Sequence, residues 1–186
     1  MLTRGELAAA LKGLLRLTRF ETDGFHHFDA SLDGFWKSFW AAALALPVWA
    51  LLQAEQMAAA HPAAPLRYAA LQSIAYAVGW LAYPLLMVRI SRFLDRQHNY
   101  FRYMVAYNWF QLVEAAAWLP LLVLIGSQAP ADLIALVWLA THAALFAYGW
   151  FIARHGLEIE GTTAGALVII DFLLGLLIDG VTNSLL

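Results

Sequence analysis

Residues 104–125 form the stretch MVAYNWFQLVEAAAWLPLLVLI, in which Glu114 is the sole charged side chain. An α-helix needs about 20 predominantly apolar residues to cross the ~30 Å hydrocarbon core of a bilayer. The stretch meets that length with one acidic residue near its middle. It therefore predicts a transmembrane helix.

Four further stretches have the same length and apolar character. They are residues 35–53, 68–88, 132–153 and 163–185. Hydrophobic residues make up 62% of the chain and charged residues 13%, whereas soluble domains carry roughly 25% charged residues. The sequence therefore predicts an all-α, polytopic membrane bundle with about five transmembrane helices.

Basic residues indicate the orientation, because Lys and Arg in short loops remain in the cytoplasm. With five spans and a cytoplasmic N-terminus, all of the 11 Lys and Arg residues except Arg67 fall on the cytoplasmic side. Nine are Arg and Ala is abundant, which is typical of GC-rich bacterial genomes. We therefore expect a bacterial inner (cytoplasmic) membrane protein with a cytoplasmic N-terminus and a periplasmic C-terminus.

The leading residues 1–34 form a cytoplasmic segment ahead of the transmembrane domain at residues 35–186. One helical face carries Leu7, Leu11, Leu14, Leu15 and Thr18. Another carries Lys12, Arg16 and Arg19. This amphipathic pattern predicts an interfacial helix on the anionic leaflet; the alternative is a helix packed on the cytoplasmic end of the bundle. We expect Ser31 or Asp33 to cap the first span.

Three ionisable residues, Glu114, His142 and Asp171, lie deep in the last three spans at comparable depth. Gln111 and Asn108 extend the polar stripe of the third span. Intramembrane ionisable groups face the bundle interior and mark ion or solute paths, so these five residues form the candidate site. The alternative is that they supply hydrogen bonds between helices.

The sequence lacks the residues that several classes of function require. The chain has no cysteine, and no nucleophile elbow, phosphate-binding loop or dinucleotide fingerprint occurs in it. The adjacent His26 and His27 lack the spacing of a metal site, so we expect no metal or cofactor. A net charge of −2 without a basic face argues against nucleic acid.

The chain has a short cytoplasmic lead, an apolar final helix and one proline in each of the first three spans, at Pro47, Pro84 and Pro120. This plan resembles the bacterial branch of the Yip family of small membrane proteins. The segment FDASLDGFW at residues 28–36 resembles openings of alphaproteobacterial inner-membrane proteins. The resemblance implies a role in membrane organisation or protein association.

Three functional hypotheses follow. The first is a non-enzymatic membrane protein that acts through membrane lipids, a protein partner or a homo-oligomer. The alternative is a small-solute or proton-coupled permease that uses Glu114, His142 and Asp171, and an enzyme acting on lipid comes third. A hydrated path to those residues favours transport, whereas an apolar groove without ionisable lining favours association.

A topology reporter tests the orientation. Because all the basic residues but Arg67 fall on one side, a reporter fused after Leu186 should be active only in the periplasm. A reporter that is active in the cytoplasm would contradict the five-span arrangement.

Overall fold

The computed structural model describes residues 2–186, and every regular element in that range is helical. The α-helices are α1 (Arg4–Leu17), α2 (Leu32–Ser38), α3 (Trp40–Ala60), α4 (Pro65–Phe93), α5 (Tyr100–Ala117), α6 (Leu119–Gly126), α7 (Ala131–Leu157) and α8 (Gly161–Ser184). Short 3₁₀ helices lie at Thr22–His27 and Gln97–Asn99.

Five helical segments are long and apolar enough to cross a membrane, as the sequence predicts. They are Leu32–Ala60, Pro65–Phe93, Gln97–Gly126, Ala131–Leu157 and Gly161–Ser184. Each contains most or all of a predicted span and is longer than it. The added turns contain polar and basic residues, which can reach the headgroup region while the apolar centre of each helix remains in hydrocarbon.

Prolines act differently in the three early spans. Pro47 and Pro84 lie inside α3 and α4, which remain continuous. Pro120 lies in the first turn of α6, after a break at Trp118 that separates α6 from α5. A proline in a first helical turn leaves no hydrogen bond unmade, because its missing N–H would have no partner there.

The spans pack as a ring around a common centre. Helix α5 packs against α3 and α7, α8 packs against α7 and α4, and α4 also contacts α3 and α5. We call the end with α1 and the α4–α5 and α7–α8 connections the basic end, and the opposite one the open end. The ring order brings α5, α7 and α8, which carry the predicted ionisable residues, around one interior.

Packing is tightest at the basic end. Met87, Met104, Ile152 and Leu157 are fully buried there and belong to one hydrophobic cluster. In α6, by contrast, Leu121 is the single buried residue. The basic end is therefore a solid core, and the spans are less closely packed toward the open end.

The connection between α4 and α5 secures the end of α7. The Arg96 Nε atom donates to the carbonyl oxygen of Glu158 at 3.1 Å, and Asn99 donates to that of Leu157 at 3.1 Å. Arg102 pairs with the Glu158 carboxylate, and this hydrogen bond lowers the pKa of that group. These donors satisfy carbonyls that a helix C-terminus leaves free, and the cations complement its dipole.

The leading helix is amphipathic, as predicted, and part of its apolar face is used inside the protein. Thr3 and Glu6 form a capping box that begins α1. Leu14 and Leu17 are buried in the same cluster as Met104, whereas Leu15 is 63% exposed. The helix thus packs on the basic end and leaves a second apolar strip free for a membrane surface. Met1 of the predicted segment lies outside the described residues.

Two polar contacts join this segment to the first span. Lys37 Nζ donates to Glu6 at 2.7 Å and pairs with Asp33 at 2.6 Å. The hydrogen bond from Lys37, with a further one from the Thr3 backbone, lowers the pKa of the Glu6 carboxyl to about 2. Ser31 caps α2 by accepting from the Gly34 amide at 3.1 Å, as predicted.

A glycine contact tests whether α1 is docked. A Cβ atom on Gly24 would lie 2.7 Å from the Gly13 carbonyl oxygen and 2.7 Å from Leu17 Cγ. Gly24→Ala should therefore separate α1 from the following 3₁₀ helix, at a cost of about 1–3 kcal/mol for an overpacked contact. Trypsin should then cleave faster at Lys12 and Arg19 in mild detergent.

The matched control is Gly5→Ala. A Cβ atom on Gly5 meets nothing within 4 Å, and alanine is the better helix former by about 1 kcal/mol. Trypsin should cleave this variant no faster than the parent protein. Equal cleavage of the Gly24 and Gly5 variants would mean that α1 is not packed on this segment.

Candidate functional site

The ring of spans encloses a cavity of about 480 Å³, to which α3, α4, α5, α7 and α8 all contribute side chains. Binding sites for small molecules in proteins usually have volumes of about 300–1,000 Å³. The predicted residues Gln111, Glu114, His142 and Asp171 all line this cavity. The structure thus brings four of the five predicted site residues to one place.

At the basic end the cavity is bounded by Tyr83 and Tyr103. The hydroxyl oxygens of Tyr83 and Tyr103 lie 2.7 Å apart in a hydrogen bond, and each residue is 2% exposed. Met87 and Met104, on the same two helices, are fully buried. We call these four residues the tyrosine–methionine layer. It separates the cavity from the basic end.

Toward the other end the lining becomes accessible. Along α8 the lining runs from Val168 to Asp179, a length of about 16 Å at 1.5 Å per residue. Val168 is half-buried, whereas Gly175 and Asp179 are exposed. The cavity therefore extends over about half of a ~30 Å hydrocarbon core, and its lining becomes more exposed away from the tyrosine–methionine layer.

A chain of hydrogen bonds connects α5 with α8 across the cavity. Gln111 Nε2 donates to the Tyr107 hydroxyl at 2.8 Å, and that hydroxyl donates to Asp171 Oδ1 at 2.8 Å. Gln111 follows Tyr107 by one helical turn, so the two side chains share a face of α5. Asp171 is thus held in one position by a neutral donor, without a basic partner.

Glu114 lies on the same face of α5, one turn beyond Gln111. Its side chain is half-buried and lines the cavity. Within residues 2–186 its carboxyl group makes no ion pair, since the bridges there join Arg16, Lys37 and Arg102 to other acids. A carboxyl group without a partner in an accessible cavity is available to water, a proton or a solute.

His142 lines the cavity through aromatic contacts. Its ring lies 3.9 Å from the Trp138 ring and 4.9 Å from the Trp118 ring, measured between centroids. Its Nδ1 atom donates to the Trp138 carbonyl oxygen at 3.0 Å. It forms no ion pair with Glu114 or Asp171 in the described chain, and no three His, Asp or Glu side chains there could hold a metal ion. The three residues therefore line one cavity without an ion pair between them.

Asn108 does not line the cavity. It is fully buried and donates to the Ser38 hydroxyl at 2.8 Å. Ser38 in turn donates to the Phe35 carbonyl oxygen at 2.7 Å, beside the break between α2 and α3. Asn108 therefore joins α5 to the start of the first span. It lies apart from the other four residues and makes a hydrogen bond between helices, which is the alternative given for this stripe in the sequence analysis.

Aromatic lining is the feature that the sequence analysis missed. Tyr76, Trp80 and Tyr83 all line the cavity from α4. Their spacing of four and three residues places them on one helical face. Trp49 on α3 adds a ring 4.6 Å from that of Tyr76. The spacing on α4 was visible in the sequence and predicts an aromatic face turned toward the interior.

Protein-family models, curated proteins and solved structures contain no match to this chain.

The hydrogen-bond chain is tested by Tyr107→Phe, which removes the donor to Asp171 and the acceptor of Gln111. Leaving buried polar groups without a partner costs about 1–3 kcal/mol, so the free energy of unfolding in detergent should fall by that amount. Tyr68→Phe is the control, at a buried tyrosine outside the cavity. If the two variants are equally stable, the hydrogen bonds of Tyr107 contribute nothing to the free energy of unfolding.

Proposed function

We propose that this integral membrane protein is a permease for a small solute, with the central cavity as its binding site. The observation that carries the proposal is the cavity itself, lined by Glu114 and Asp171 and open at one end. The alternative, an apolar groove without ionisable lining, would support association instead.

The energetic cost of these residues supports the proposal. An acidic residue at the centre of a transmembrane helix costs about 2.5–3.5 kcal/mol on insertion scales. Interhelical hydrogen bonding could justify Asp171, which accepts from Tyr107. It does not justify Glu114, which is bonded to no basic group and faces the cavity. Binding a solute or a proton gives that residue a role that packing does not.

The mechanism needs a barrier that can open, and α4 supplies one. The tyrosine–methionine layer closes the basic end, and the hydrogen bond between Tyr83 and Tyr103 joins α4 to α5 there. Pro84 follows Tyr83 directly and removes one backbone hydrogen bond from α4, which favours bending of the helix at this point. Bending at Pro84 would separate the two tyrosines and expose the cavity to the basic end.

The two carboxyl groups have different roles in the proposed transport mechanism. Asp171 is held by Tyr107 and fixes the orientation of the solute. Glu114 is free to exchange a proton with the solute or with water, which would couple transport to a proton gradient. The ten-to-one distribution of basic residues supports a cytoplasmic basic end in a bacterial inner membrane.

Association with a partner chain is a second candidate. Ala140, Ala143, Ala144 and Ala147 form one face of α7, and all four are exposed. Small residues at this spacing allow helices to approach closely in membranes. A second copy or another membrane protein could cover this face, and the two candidates do not exclude each other.

Cysteine labelling tests the open path, because the chain contains no cysteine of its own. Single variants Asp179→Cys and Glu114→Cys should react with a membrane-impermeant maleimide added from the open end, since a thiol must be ionised in water to react. Met104→Cys in the buried layer and Leu136→Cys on the outer surface of α7 should not react.

Labelling of Glu114→Cys at the rate of Leu136→Cys would contradict a hydrated path and the permease proposal with it. In the same set, oxidation of Ala143→Cys in membranes should yield a covalent dimer if this face joins two copies. A monomer after oxidation would leave self-association through α7 without support.

A further inference from the structure

We infer that the cavity binds organic ammonium ions, that is, cations whose charged nitrogen carries apolar substituents. This inference rests on the proposed function and names its substrate class. Charge, lining and shape each contribute an independent argument.

The charge of the lining selects cations. Glu114, Asp171 and Asp179 line the cavity, and no Lys or Arg is among its described lining residues. Arg67 lies at the open end, but its guanidinium donates to the Leu185 carbonyl oxygen at 2.7 Å. Carboxylates in a site of low dielectric attract cations more strongly than they do in water, and an anion would be repelled.

The aromatic lining selects an organic cation over a metal ion. Ten of the 26 lining residues are Phe, Trp or Tyr, against 14% aromatic residues in the chain. Aromatic faces attract cations by about 0.5–2 kcal/mol each when a cation lies within about 6 Å of the ring. They offer no ligand atoms, and no three acidic or His side chains in the described chain converge for metal binding.

The arrangement of rings and carboxyl groups fits a small amphiphilic cation. Glu114 lies on α5 between Tyr107 and Trp118, which share its face at seven and four residues' distance. Tyr83 and Tyr107 lie with their ring centroids 4.6 Å apart, and Tyr76 lies 4.6 Å from Trp49. A nitrogen beside Glu114 would therefore lie in a cavity whose other walls carry aromatic rings.

A pair of probes of equal shape tests the inference. Choline and 3,3-dimethylbutan-1-ol differ in having a charged nitrogen or a neutral carbon at the same position. Titration calorimetry with the full chain in detergent should show choline binding at least about tenfold more tightly than the alcohol. Glu114→Gln should weaken choline binding by about tenfold and leave binding of the alcohol unchanged.

Two further variants keep the test decisive. Glu55→Gln changes an exposed acid of α3 that does not line the cavity, and it should bind choline as the parent does. If Glu114→Gln does not fold, Asp171→Asn provides the same comparison from α8. Equal loss of choline binding in the Glu55 and Glu114 variants would overturn the inference, because binding would then follow overall charge.

The outcomes separate this inference from the permease proposal. Two results would overturn the inference that the substrate is an ammonium ion but not the permease proposal. One is equal affinity for choline and the alcohol. The other is no choline binding by a protein whose Glu114→Cys variant reacts with maleimide. Failure of Glu114→Cys to react removes the hydrated site and both proposals together.

Discussion

Hydrocarbon cannot accept or donate hydrogen bonds, and this constraint determines which way each polar side chain in the bundle points. Tyr107, Gln111, Glu114 and Asp171 all turn toward the centre of the ring. Once they do, the spans carrying them cannot pack as closely as apolar helices would, because polar groups without partners require space for water. The cavity is thus a direct consequence of placing acids in α5 and α8. The aromatic residues on α3 and α4 complete its wall.

The basic end of the molecule contributes most of the close packing, whereas the candidate site lies toward the open end. At the basic end, fully buried residues from α4, α5 and α7 pack with those of α1, and side chains from the α4–α5 connection satisfy the end of α7. Toward the open end, Gly175 and Asp179 are exposed and α6 buries one residue. A bundle packed closely at one end can tolerate a wide interior at the other.

The number of spans and the basic end could be predicted from the sequence, since both depend on where apolar and basic residues fall along the chain. Counting residues along each helix also predicted that Glu114, His142 and Asp171 lie at one level, and the structure places all three in one cavity. The rotation of each helix about its own axis could not be predicted in this way. Asn108 follows Tyr107 directly and so points about 100° away from it, toward Ser38. His142 reaches the same cavity, but its contacts with Trp118 and Trp138 depend on packing between helices that no single span reveals. The docking of α1 depends on residues far along the chain.

That last dependence sets the order in which the protein can be completed during synthesis. The Tyr148 hydroxyl donates to the Leu14 carbonyl oxygen at 3.4 Å, and Phe20 packs edge-on against Phe151. The ribosome must therefore translate more than a hundred further residues, and four spans must enter the bilayer, before the first helix meets its final neighbours. Until then α1 has the 3₁₀ helix beside it, where Leu17 lies against Gly24, but it lacks its contacts with α7. The headgroup layer of the membrane is the nearest surface that a basic helix with exposed leucines can bind during this time.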